Sequence, residues 1–261
     1  MIYISYGMTK SASTLLYQLT EELLRVAGRN PVRLRSPFRP FASVENYFDV
    51  IDPPLLQAIA ARHVGRDVVL KTHQAPHPQI AARVRAGEIL ASASIRDPRE
   101  IALSMIDHGD RSRRWGYSEF SECCTPEDVL PSLDNQIETF HAWAALPPVK
   151  VIRYNDICFE KRAVAASVAE QLGVVVDLDK VLKPFVNVSS IGQFNKGVAL
   201  RYREMPQDQQ EVFLLRYAQF YRDYAFETPV AAKLAQLAAT TPSRSGQFRQ
   251  YLTHARRLFH I

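Results

Sequence analysis

Residues 1–27 read MIYISYGMTKSASTLLYQLTEELLRVA, and their order decides the fold class. Ile2 to Tyr6 alternates apolar with small or polar residues, which is the period of a strand. A short turn follows, and then apolar residues recur at helical spacing from Ser11 to Ala27. Strand, loop and helix in direct succession open an α/β domain. The same alternation recurs downstream. Asp67–Leu70 (DVVL), Ile89–Ile95 (ILASASI) and Val149–Tyr154 (VKVIRY) are compact strand candidates. Helical patterns lie near Pro53–His63, Pro98–His108, Pro126–Ala145, Phe159–Leu172 and Gln207–Tyr224, several opened by Pro or Asp. Strands separated by helices predict a parallel β-sheet flanked by helices on both faces.

Composition agrees with one large globular domain. The 261 residues are 47% hydrophobic and 23% charged, which excludes extended disorder, collagen-like repeats and a disulfide scaffold. No apolar run approaches the ~20 residues of a membrane-spanning helix, and the N-terminus has no secretory pattern. Cys123, Cys124 and Cys158 make neither an even framework nor a CxxC pair, so they read as reduced thiols and the protein as cytoplasmic. The net charge of +5 comes from 24 Arg and only 8 Lys, scattered along the chain. Such a bias suits a small polyanion in a cleft better than nucleic acid. The linker-like TTPSRSG (240–246) separates a domain of residues 1–240 from a tail, 241–261, that carries Arg244, Arg249, Arg256 and Arg257 at the edge of an amphipathic pattern. That tail reads either as a terminal helix packed on its own domain or as a contact for a partner or an anionic membrane surface.

Three stretches carry chemistry. In YGMTKSASTLL, Lys10 precedes Ser11, Ala12, Ser13, Thr14 and Leu15 at a helix start. Free N–H groups, a cation and hydroxyls there make an anion cradle, unless the hydroxyls merely cap the helix. It is not a Walker A loop, because Thr9 stands where GxxxxGK[ST] needs Gly. In DVVLKTHQAP, Lys71 and His73 stand at the C-terminal end of a strand, where ligand sites of open α/β sheets collect. Alternation points them to one side. Imidazole at that place suits a general base. A metal pair of His73 with His77 is disfavoured, since Pro76 and Pro78 prevent an i, i+4 arrangement on one helix. In ASIRDPREIALSMIDHG, Arg96 ends a strand and Ser104 lies one to two turns into the next helix, with Asp97 as N-cap and Pro98 at the first helical position. A planar guanidinium and a neutral hydroxyl donor suit phosphate oxygens.

Taken together and in this order, the three stretches resemble the sulfotransferase family that uses 3′-phosphoadenosine 5′-phosphosulfate (PAPS), a P-loop-like fold. The family loop PKSGTTW compares with TKSASTL: Lys10 and Ser11 match, Ala12 replaces Gly, Ser13 and Thr14 keep hydroxyls, and Leu15 replaces an aromatic. KTHQAP compares with KTHLP, and RDPREIALS with RDPRDVAVS. VIRYNDI resembles the family's strand ending in YEDL, with Tyr154 near the adenine, and the next helix ends in LGV. NKGVALRYRE resembles RKGxxGDWK, where Lys196 and Gly197 match, Asn195 replaces Arg and Tyr202 replaces Trp. PQDQQEVFLLRYAQFYRDYAF resembles the family's closing helix.

The resemblance implies a compact bacterial-type enzyme that binds PAPS without a metal. The 5′-phosphosulfate would lie on the first loop and the 3′-phosphate between Arg96, Ser104 and Lys196. His73 would take the acceptor's proton, with Lys10 and Lys71 stabilising charge on the bridging and sulfuryl oxygens. The acceptor, a small molecule or a carbohydrate, would meet the loops 37–48 and 109–120, the second holding Arg111, Arg113, Arg114, Trp115 and Tyr117. A homodimer is compatible with this reading. Two other readings stay open at this point: a P-loop-like kinase using ATP, and a non-catalytic nucleotide-fold binding module.

Overall fold

The computed structural model describes residues 1–38, 46–186 and 199–226. These fall into two compact units, Met1–Pro206 and a second beginning at Gln207. In the first unit the order is β1 (Ile2–Gly7), α1 (Ser13–Val26), α2 (Pro53–Arg62), β2 (Val68–Thr72), α3 (Pro78–Arg85), β3 (Leu90–Ile95), α4 (Pro98–Trp115), α5 (Pro126–Ala144), β4 (Lys150–Arg153), α6 (Tyr154–Phe159), α7 (Lys161–Leu172) and α8 (Leu178–Leu182). A 3₁₀ turn, Arg201–Glu204, completes it near its end. The second unit holds α9 (Gln207–Arg216) and α10 (Ala218–Asp223), with Phe220 stacked on Phe226.

The four strands form one parallel sheet in the order β2-β1-β3-β4. Its register aligns Ser5 with Lys71 on one side and with Ser92 on the other. The chain leaves β1 for β2 on one flank, then returns past β1 to β3 on the other. The C-terminal ends of β1 and β3 therefore bound a topological switch point, where open α/β sheets take their ligands.

Both faces of the sheet are covered, so the central strands β1 and β3 are buried at every residue but the first, as parallel strands require. On one face Tyr3 and Val69 pack with Leu16, Leu19 and Leu23 of α1 and with Val164, Val168 and Leu172 of α7. Every apolar residue on that α1 stripe removes enough surface from water to stabilise by about 1.5–3 kcal/mol. On the other face Tyr6 stacks on Trp143 of α5 at 5.6 Å between ring centroids. The indole N–H donates to the carbonyl of Gln74, so the large ring is buried with its polar atom satisfied.

Several boundaries differ from those the sequence predicts. α4 does not stop at His108 but runs to Trp115, where Gly116 takes the left-handed conformation that ends helices. Most of the predicted loop 109–120 is thus helix. β2 includes Lys71 and Thr72 instead of ending before them. The predicted helix Phe159–Leu172 corresponds to α7, which begins at Lys161; the short α6, which ends at Phe159 and is set off from α7 by the non-helical Glu160, is not predicted. Gln207–Tyr224 likewise breaks at Tyr217. α3 was not anticipated. His77 caps it, Nδ1 accepting from the Gln79 N–H at 3.2 Å, which leaves His77 outside any pairing with His73 on a helix. Residues 39–45 of the predicted acceptor loop, Asn195, Lys196 and Gly197, and the tail 241–261 lie outside the described residues.

Candidate active site

The loop between β1 and α1 is built by backbone strain and close packing. Lys10 and Ala12 both adopt positive φ, 65° and 63°, which costs non-glycine residues about 1 kcal/mol or more each. Ala12 is the N-cap of α1, and no side chain caps the helix there. The hydroxyls that the sequence offers as caps go elsewhere. The Ser11 hydroxyl donates to the Met8 carbonyl at 2.5 Å and meets the Ser94 hydroxyl at 2.7 Å, which ties the loop to β3. Thr14 accepts a hydrogen bond from the Lys71 ammonium at 2.6 Å. The Thr9 N–H donates to Gln136 Oε1 at 2.7 Å, a support from α5 that the sequence did not suggest. Gly7 lets the parts meet. A Cβ there would fall 2.1 Å from Ser94 Oγ and 2.5 Å from Ser13 Cβ.

The first turn of α1, with its N–H groups and the positive end of its dipole, opens beside Lys10 and the buried Lys71. This donor set fits the 5′-phosphosulfate end of PAPS, since anionic oxygens need N–H donors and cations and nothing acidic stands among them.

His73 lies beside the same loop. Its ring nitrogen Nδ1 stands 2.6 Å from the carbonyl oxygen of Gly7. A carbonyl only accepts, so Nδ1 carries the proton and Nε2 keeps the lone pair. Burial, and next to it the positive charge of Lys71, lower the His73 pKa to about 4, so the ring is neutral at pH 7. Tyr47 packs against it at 5.3 Å and lies 5.6 Å from the Lys71 ammonium. Tyr47 is held there because Asn46–Phe48 runs beside β2: the Lys71 N–H donates to the Asn46 carbonyl, and the Phe48 N–H to the Lys71 carbonyl. Asn46 is the buried hub of that arrangement. Its amide bonds Val32, Val69 and Leu34 across otherwise unrelated segments.

Arg96 leaves the end of β3 and is buried. Its Nε donates to Glu100 at 3.0 Å, its Nη1 donates to the Lys10 carbonyl at 3.2 Å, and its guanidinium lies 3.6 Å from the centre of the Tyr154 ring. One residue thus joins the third motif to the first and fixes Tyr154. Burial raises the Tyr154 phenol to about 12, so it stays protonated. Ser104 is buried two turns into α4. Asp97 caps α4 through the Arg99 N–H, as the sequence predicts. It also pairs with the guanidinium of Arg99, which is fully buried and stacked 3.9 Å from the ring centre of Tyr202. A second pair, the buried Arg201 with the half-buried Asp107 at 2.7 Å, fastens the 3₁₀ turn to α4.

His108 is the main site residue that sequence reasoning missed. It accepts a hydrogen bond from the Lys10 ammonium, and Phe120 packs on both side chains. The signal was available, because His108 follows Ser104 by four residues on the same stripe of α4. Burial, then Lys10 and Arg111, lower its pKa to about 4. Lys10 itself is lowered to about 8, by burial first and by Arg111 and Lys71 after it. Arg114, Trp115 and Tyr117 are exposed around the end of α4, whereas Arg113 bonds the carbonyls of the segment that follows it.

Among the described residues no group of three or more His, Cys, Asp or Glu side chains is placed to hold a metal ion, and no helix is long and apolar enough to cross a membrane. A shallow depression lined by Met1, Gly28, Arg29 and Asp67 lies at the opposite end of β1 and carries none of this chemistry.

No family model matches the sequence, and no curated protein is significantly similar to it. Solved structures are similar. Mouse sulfotransferase SULT7A1 complexed with PAP superposes with a TM-score of 0.57 at 13% identity, covering 92% of this chain and 88% of that one. Retinol dehydratase in complex with androsterone and inactive cofactor PAP gives 0.55 at 14% identity, over 87% and 82%. The same protein with retinol and PAP gives 0.55 at 14% identity, over 87% and 83%. With its parallel sheet, its helical layers and its loop between β1 and α1, the chain has the fold of the PAPS-dependent sulfotransferases.

Proposed function

We propose that the protein transfers a sulfuryl group from PAPS to a hydroxyl or amine of a small-molecule or carbohydrate acceptor. The observation that carries this reading is the convergence of Lys10, Thr14 with Lys71, and His73 at the ends of β1 and β2, while Arg96 binds the Lys10 carbonyl from the end of β3. The cations of the three motifs, Lys10, Lys71 and Arg96, thereby gather at one end of the sheet, within one ligand's reach. The likeness to SULT7A1 and retinol dehydratase, each solved with PAP, supports the same donor.

In this reading the acceptor oxygen attacks sulfur in line. The new O–S bond forms as the bond from sulfur to the 5′-phosphate oxygen breaks, and adenosine 3′,5′-bisphosphate (PAP) leaves. The acceptor's proton passes to His73 Nε2, whose lone pair is held free by the bond from Nδ1 to Gly7. Lys10, Lys71 and the N–H groups at the start of α1 stabilise the charge that grows on the bridging and sulfuryl oxygens. Arg96, Ser104 and Lys196 bind the 3′-phosphate, and Tyr154 lies at the adenosine. Most of the acceleration comes from positioning and electrostatics, as in phosphoryl transfer. Residues 1–240 form the catalytic domain, with 241–261 as its basic tail, and reduced thiols fit a cytoplasmic protein.

Thermal shift tests the donor. Stabilisation by PAP without magnesium supports the reading, whereas stabilisation by Mg-ATP alone favours the kinase. Transfer of radiolabelled sulfate from PAPS to a panel of hydroxylated acceptors then tests catalysis. PAP binding with no transfer to any acceptor favours a non-catalytic binding module.

A further inference from the structure

The imidazole of His108 is prepared for a task that none of the three motifs assigns. An ammonium only donates, so the bond from Lys10 requires the lone pair of His108 at Nδ1 and its proton at Nε2. His73 is set in the opposite tautomer by the Gly7 carbonyl. Phe120 covers the pair, with its ring centre 4.5 Å from Lys10 Nζ and 5.0 Å from the His108 ring.

Three features hold Phe120 there, and the first two are costly unless they serve that placement. Gly109 stands inside a helix, where glycine weakens it. Yet a Cβ at 109 would fall 2.2 Å from the Phe120 carbonyl oxygen and 2.7 Å from that of Cys123. Phe120 has a φ of 59°, in the left-handed region. Arg113 folds back to donate to the carbonyls of Ser121 at 2.5 Å and Cys123 at 3.2 Å. The segment after α4 is thus pressed onto the helix so that one aromatic ring lies over Lys10 and His108.

We propose that His108 is a positioning residue for sulfuryl transfer, holding the Lys10 ammonium beside the anion loop under the Phe120 ring before the donor arrives. The proposal rests on the sulfotransferase reading above. Its physical reason is the flexible stem of lysine. A free Lys10 would have to be ordered at each turnover, whereas a held one places its charge during folding. The charged groups that face the His108 ring are Lys10, Arg111 and Glu119.

The test uses the full chain. Long-range proton–nitrogen correlation spectra on histidine-labelled protein should show His108 protonated at Nε2 only, with a changed Nδ1 shift in Lys10→Met. In steady-state kinetics with PAPS, His108→Leu should lower kcat about tenfold, the equivalent of one charge-assisted hydrogen bond, with the acceptor KM within twofold. His108→Asn, whose amide oxygen falls near the place of Nδ1, should return kcat to within threefold of the parent. Parental kcat in His108→Leu, or a proton on Nδ1, overturns the proposal. Should His108→Leu fail to fold, Phe120→Ala carries the same test, with a severalfold loss of kcat expected and no loss overturning it. If the parent protein binds no PAP and transfers no sulfate, the sulfotransferase reading falls, and the catalytic use of the pair falls with it. The tautomer would then still report whether the pair exists.

Discussion

His73 and Gly7 are joined by a 2.6 Å hydrogen bond from the imidazole Nδ1 to the backbone carbonyl, which links the end of β2 to the end of β1. The bond does two things. It sets the tautomer that keeps the lone pair on Nε2, as the proposed general base requires, and it holds the ring against the loop that begins one residue later.

A neutral His73 with a pKa near 4 predicts an unusual pH profile. The base form is the unprotonated ring, so activity is lost as pH falls through the pKa of the free enzyme. kcat/KM should stay level from about pH 7.5 to about pH 5 and fall below that. An acid limb centred on 6.5, the ordinary histidine value, would contradict the buried ring. His73→Ala should lose about 100-fold or more in kcat and leave PAP affinity within twofold, measured by calorimetry.

Arg96 is expected to bind donor and to hold the loop at once. Arg96→Ala removes the bond to the Lys10 carbonyl and leaves Glu100 buried without that partner. PAP affinity should drop by more than about 1.5 kcal/mol, the scale of a charged hydrogen bond. A melt of the same variant should show lost stability, and Arg96→Ala with Glu100→Gln should recover part of it, because the uncompensated carboxylate is gone. Unchanged PAP affinity would remove Arg96 from the phosphate site.

Gly7→Ala should be among the most damaging single changes. The added methyl meets Ser94 Oγ and Ser13 Cβ well inside contact distance, and both atoms lie on packed elements. Overpacking of that kind costs about 1–3 kcal/mol. Urea unfolding would measure it, and Gly7→Ala combined with Ser94→Gly should regain part of the loss.

Acid should weaken the fold between pH 6.5 and 4. His73 and His108 both have folded pKa values near 4, below the 6.5 of an unfolded histidine. Across that window the unfolded chain binds more protons, so stability is full above 6.5 and is lost as pH falls toward 4. The melting temperature should fall by about 5 °C between pH 7 and pH 4.5. The double variant His73→Gln, His108→Asn should show a shallower fall. An identical slope would mean the two rings are not held neutral.

The sequence by itself determined the alternation of strand and helix, the three motifs, and their order along the chain. Those signals are local: period 2 in Ile2–Tyr6, an N-cap Asp97 before Pro98, a hydroxyl run after Lys10. It also carried the resemblance that the superposed structures support at the level of the fold. What only the tertiary structure decided are relationships between residues far apart in the chain. Ser11 turns its hydroxyl to Ser94, 83 positions away, instead of outward, and Lys71 reaches Thr14 across 57. His108 stood in plain view one turn after Ser104, but its role depends on Lys10, 98 positions earlier, and on a ring that Gly109 allows to close over it. The physical reason is that periodicity and capping depend on neighbours along the chain. The protonation state, tautomer and partner of a buried polar side chain depend on which distant donors and charges the packed sheet brings within a few ångströms.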